Sequence, residues 1–99
     1  MKDLDKIIEK LREIKPFLAQ EYNITEIGVF GSYARGEQTE TSDIDILIEY
    51  DRSKKMSLFK FIGLEDFLKS VFNKKVDLVT RKALKPRMGK RILNEVIFV

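Results

Sequence analysis

Asp43 and Asp45 flank a single isoleucine in the segment DIDILIEY, and a third acid, Asp77, interrupts the apolar run KVDLVT. Side chains alternate along a strand. Asp43 and Asp45 therefore project from one face, about 7 Å apart, and Ile44, Ile46 and Ile48 from the other. Two carboxylates so placed can lean on one cation or bridge two. Without a cation their repulsion raises one pKa or destabilises the strand. A lone D-x-D is a frequent pattern, and strand starts commonly carry acids that face water. Asp77 changes the weighing, because an acid inside a buried-looking strand is costly unless paired or bound to metal. It calls for a salt bridge to Lys74, Lys75 or Arg81, or for convergence with Asp43 and Asp45 if the two strands are neighbours. The chain has neither histidine nor cysteine. Any metal site is thus built from oxygen, which favours magnesium or manganese. Three converging carboxylates would suit the two-metal clamp used for in-line displacement at phosphorus.

Gly31-Ser32 follows the apolar run ITEIGVF and precedes a short helical segment. Glycine there supplies positive φ or lets another group approach the backbone. The start of the turn offers free N–H groups suited to phosphate, and Ser32 adds a hydroxyl. Arg35, one turn on, can reach phosphate oxygens or a nearby acid. An ordinary strand-to-helix connection with a serine cap would look the same. The spacing is neither G-x-G-x-x-G nor G-x-x-x-x-G-K-[ST].

Several elements must hold these residues. Leu4, Ile7, Ile8, Leu11 and Ile14 recur at helical spacing after Asp3 as N-cap, and Pro16 is expected to break or kink that helix before a second turn over Phe17–Tyr22. Strands are expected over Ile24–Phe30, Asp43–Tyr50 and Lys75–Thr80. Ser32–Arg35 reads as a helical turn closed by Gly36, and Glu37–Ser42 as a loop. Ser57 caps a helix to about Phe72, with Leu58, Ile62, Leu68 and Phe72 as its sheet-facing stripe. Its other apolar residues, Phe59, Phe61, Leu64, Phe67 and Val71, spread beyond one stripe, so the helix is either buried twice or exposed as an interface. Pro86 suits the first position of a helix reaching Asn94 or Glu95, and Val96–Val99 a short edge strand. This order predicts a small mixed sheet of three to four strands packed on helices, an α/β fold of the α+β type, in one domain over residues 1–99.

Charge divides along the chain. Residues 1–51 carry a net of −6 and residues 52–99 a net of +9. An acidic half can hold cations, and a basic half can face phosphates or an acidic partner, although solvated faces account for most such charges. The basic run Arg81, Lys82, Lys85, Arg87, Lys90 and Arg91 meets one acid only after Asn94, and reads first as a solvated face. No aromatic residue interleaves it. That disfavours a single-strand nucleic-acid binder, and nucleic acid is not expected as a direct ligand. No apolar run approaches membrane-spanning length, the N-terminus lacks a signal-peptide core, and no disulfide can form, so the expected location is the cytoplasm. High Lys and Glu with few Asn and Gln lean toward a thermophilic source.

Gly31-Ser32, ten residues, then Asp43-Ile44-Asp45 has the form G-S-x10-D-x-D. With GSYARG, SDIDILIE and KVDLV in this order, the chain resembles the minimal nucleotidyltransferase (MNT) family of the polymerase-beta-type nucleotidyltransferase superfamily, over almost its whole length. The resemblance implies a helix-backed sheet with the acids on its open face. It implies that Asp43 and Asp45 bind two magnesium ions, that Asp77 completes the site, and that Gly31 and Ser32 hold the nucleoside triphosphate. It further implies antitoxins that pair with HEPN-type RNase toxins and silence them by attaching AMP from ATP to a toxin tyrosine.

Larger members of that superfamily carry a further domain for the acceptor. Nothing after Val99 could serve here, so the acceptor is expected from another chain or a dimer mate. Two other readings stand beside the adenylyltransferase. One is a non-catalytic antitoxin that neutralises its partner by contact; the intact glycine, serine and acids count against it. The other is nucleotidyl transfer to RNA ends or a small molecule, against which the missing acceptor domain counts.

Overall fold

The structure, a computed structural model, describes residues 3–99. The expected domain starts at residue 1; residues 1 and 2 lie outside the described part. The elements are α1 (Asp3–Tyr22), β1 (Ile24–Phe30), α2 (Ser32–Arg35), β2 (Ile44–Tyr50), α3 (Leu58–Phe72), β3 (Val76–Thr80), a 3-10 turn (Arg81–Ala83), α4 (Pro86–Glu95) and β4 (Ile97–Phe98). The strands form one mixed sheet in the order β3-β2-β1-β4. β1 is antiparallel to β2 and to β4, and β2 is parallel to β3. A parallel pair needs a long crossover, which the α3 connection supplies.

Local chemistry explains most boundaries. The Ser57 hydroxyl accepts from the Lys60 N–H at 3.1 Å and starts α3, and Asn73 ends it in the left-handed region at φ 51°. Pro86 opens α4 at its first turn. Two expectations need correction. Pro16 does not break the first helix: α1 runs through it as a single helix from Asp3, which is already helical rather than a cap preceding it. Pro16 and Arg12 both lie on the exposed side. The carbonyl that loses its partner is therefore solvated, while Ile7, Leu11 and Leu18 pin both halves to the core. The sheet-facing stripe of α3 holds at Leu68 and Phe72 but not at Leu58 and Ile62. Leu64 and Leu68 are buried, with Phe61, Phe67 and Phe72 packed beside them, whereas Leu58 and Ile62 point outward with Phe59.

One core fills the space between the sheet and α1 and α3, and is lined by Ile27, Val29, Ile44, Ile46, Ile48, Val76 and Leu78. This is the helix-backed face. A second, smaller cluster lies on the opposite face, where Ile92 of α4, with Leu84 and Val96, packs on Phe30, Leu47 and Val79. α4 therefore covers part of the face that carries the acids, and the remainder of that face stays open.

Candidate active site

The register across the sheet places the chemistry. Asp45 lies opposite Phe30 on β1 and opposite Asp77 on β3, so one row crosses three strands at a single end of the sheet. Gly31 follows Phe30 directly, which puts the turn beside the Asp45 carboxylate. At Gly31 φ is 76° and ψ −152°, a region open essentially to glycine alone. A Cβ there would strike Asp45, with its Cγ only 2.9 Å away. Asp43 precedes the first residue of β2 and is exposed. Asp77 is also exposed, not buried as its apolar neighbours predict. Its face of the sheet is the open one, and it forms no salt bridge to Lys74, Lys75 or Arg81 among the described residues; Arg81 pairs with Glu26 at 3.8 Å instead.

Burial pushes the Asp45 carboxyl up to about 6, and repulsion from Asp77 and then Asp43 adds to it, while Arg35 acts against them. Asp45 and Asp77 are direct neighbours across the β2–β3 pair. Such a pair suits a hard cation: all donors are oxygen, and bound positive charge would remove the repulsion. As the side chains stand, no three His, Cys, Asp or Glu among the described residues form a ready-made ligand set. The residues fit a magnesium site in donor type, and the β2–β3 register brings Asp45 and Asp77 side by side, with Asp43 exposed two residues before Asp45.

The turn side of the site holds a further residue, Glu95, which no local pattern in the sequence places there. Glu95, the last residue of α4, accepts the Gly31 N–H at 3.0 Å through Oε1 and the Arg35 guanidinium at 3.2 and 3.0 Å through both oxygens. Arg35 also reaches Glu37 at 3.2 Å. Its hydrogen bonds to Glu95, then Glu37, raise the Arg35 pKa further. Of its two expected partners, phosphate or a nearby acid, Arg35 here holds acids. The Ser32 hydroxyl makes no hydrogen bond among the described residues, and Ser32 stays partly exposed beside the turn.

The family model described as a nucleotidyltransferase domain matches residues 11–99. The chain belongs to the nucleotidyltransferase-domain family. Protein adenylyltransferase MntA of Thermococcus cleftensis is 42% identical over 99 residues, spanning all of this chain and 98% of that protein. A solved structure described as a candidate minimal nucleotidyltransferase superposes with a TM-score of 0.80 at 29% identity, over 96% of this chain and 94% of that one. A toxin–antitoxin crystal structure with AMP-PNP follows at a TM-score of 0.69 and 26% identity, over 97% of this chain and 71% of that one. The helix-backed mixed sheet expected from the sequence is thus the fold of minimal nucleotidyltransferases.

In this nucleotidyltransferase, one sign of Glu95 was present in the sequence: it is the lone acid at the end of a basic stretch. Its target lies 64 residues earlier, and no periodicity reports that distance. Of the basic run, Arg91 lines the cavity beside Gly31, Arg35 and Asp45, while the remaining cations stay outside it. Among the described residues no helix is long and apolar enough to cross a membrane.

The raised Asp45 pKa has a measurable consequence. The folded state binds this proton more tightly than the unfolded chain. The resulting contribution to stability is complete below about pH 4, the unfolded value. It is lost as pH rises through about 6. In chelator, wild-type stability relative to Asp45→Asn should fall by about 1–2 kcal/mol between pH 4 and pH 7, after discounting for solvent screening of this partly buried group. Parallel thermal melts of the two proteins across that range check it. A constant difference would mean that Asp45 titrates normally.

Proposed function

We propose that this nucleotidyltransferase moves AMP from ATP to a tyrosine hydroxyl of a protein partner, a HEPN-type RNase toxin, and so acts as its antitoxin. The observation that carries the reading is the row Phe30, Asp45, Asp77 at one end of the sheet, with Gly31 directly after Phe30, in a chain 42% identical along its full length to a protein adenylyltransferase. The AMP-PNP toxin–antitoxin neighbour supports both the nucleotide and the kind of partner.

In this reading the acceptor hydroxyl oxygen attacks the α-phosphorus, the bond to the bridging oxygen of pyrophosphate breaks, and pyrophosphate leaves. Asp43, Asp45 and Asp77 would hold two magnesium ions, or manganese in their place. The chemistry those ions supply when bound is neutralisation of triphosphate charge and a lowered pKa for the attacking hydroxyl. The Gly31 N–H, the Ser32 hydroxyl and Arg35 grip the β- and γ-phosphates and hold the reacting oxygen and phosphorus in line. Asp77, the more open of the central pair, takes the hydroxyl proton or orients the nucleophile.

Incubation with α-labelled ATP, magnesium and the purified cognate toxin tests the reading. Label should appear on the toxin, should vanish when the acceptor tyrosine is changed to Phe, and should accompany loss of RNase activity. Tight binding and inhibition without label would replace this reading with neutralisation by contact.

A further inference from the structure

Glu95 takes two of the three donors that the proposed function reserves for phosphate, the Gly31 N–H and Arg35. Its carboxylate receives one main-chain N–H from Gly31 and a guanidinium from Arg35, at 3.0–3.2 Å, and its side chain is only 19% exposed. A backbone N–H and an arginine converging on two oxygens of one anion is the pattern with which proteins hold phosphate. The cavity bounded by Gly31, Arg35, Asp45, Met88, Arg91 and Glu95 is about 230 Å³. Glu95 lines this cavity and occupies both donors, so a phosphate that takes them must displace its carboxylate.

The geometry points to Glu95 as a built-in stand-in for a nucleotide phosphate, displaced when a triphosphate binds and thereby setting nucleotide affinity. The inference rests on the proposed nucleotide site and adds its control. Displacement hands the Gly31 N–H and Arg35 to a phosphate group, so no polar group is left without a partner at either end of the exchange. The released carboxylate also has somewhere to go. Arg91 lies four residues earlier on α4, borders the same cavity, and forms no ion pair among the described residues. Residues four apart share one face of a helix.

The test is isothermal calorimetry of the full chain in magnesium, with α,β-methylene-ATP, inorganic tripolyphosphate and adenosine as probes, on wild type and Glu95→Gln. Gln keeps the acceptor for the Gly31 N–H and removes the charge. Roughly fivefold tighter binding of both phosphate probes is expected, with adenosine unchanged. The gain should disappear in an Arg35→Ala background. Unchanged or weaker phosphate binding in Glu95→Gln overturns the inference and makes Glu95 a structural clamp on Arg35. If Glu95→Gln misfolds, Glu95→Ala is read by the same criterion. Binding of the ATP analogue that is equal in both proteins sinks the stand-in alone. No binding of it to either protein sinks the nucleotide site itself, and the stand-in with it.

Discussion

Asp45→Asn should reduce nucleotidyl transfer by about 10³-fold or more while leaving the fold intact. Asp45 is the centre of the site: it faces Asp77 across the β2–β3 pair, follows Asp43 by two residues, and touches the Gly31 turn. Asn keeps the shape and loses the charge, so a cation held by this row loses its central ligand. The same change removes a charge whose burial, with added repulsion from Asp77 and Asp43, pushes Asp45 up to about 6. Above pH 7 in chelator the variant should therefore melt at or above the wild-type temperature. Loss of activity with unchanged or higher stability separates a site residue from a structural one. The measurement is label transfer from α-labelled ATP beside a thermal melt. Undiminished labelling by an Asp43→Asn, Asp45→Asn double variant would remove the acids from the mechanism.

Gly31→Ala should be damaging in both respects. The residue sits at φ 76° and ψ −152°, and any Cβ there collides with the Asp45 carboxylate. The backbone conformation alone costs about 1–3 kcal/mol for a residue with a side chain. With the collision added, about 2–4 kcal/mol is expected, a fall in Tm of 10 °C or more for a domain of this size. The chain can escape only by flipping the turn or by moving Asp45, and both take the Gly31 N–H out of line with the acids. Nucleotide binding should fall with stability. A variant that melts within a few degrees of wild type and binds ATP normally would show that the turn has another conformation available.

These effects show unequally in the sequence. The glycine after a strand, the Ser57 cap and Pro86 each act within a few residues, and each lies in the structure where the local rule puts it; of the D-x-D pair, Asp45 lies in β2 while Asp43 falls one residue before it. Pro16 does not break α1, since the Arg12 carbonyl that loses its partner lies on the exposed side, and exposure is a property of the whole fold. The α3 stripe misled because so many of its positions are apolar. With no clear polar face, periodicity does not choose the buried side, and Leu64 and Leu68 win by packing against α1 and the sheet. Asp77 is exposed among apolar neighbours because its face of the sheet is left open beyond the cover of α4.

By itself the sequence determined the order of elements, the chemical type of each site residue and the oxygen-only character of any metal site. These are read from near neighbours and composition. The tertiary structure decided which distant residues meet: Asp45 with Asp77 through a parallel pairing across α3, and Glu95 with Gly31 and Arg35 through the packing of Ile92 on Phe30 and Leu47. The physical reason is that side-chain period reports only which face a residue takes. Strand order and helix docking are set by burial summed over the whole core, and that sum has no local signature.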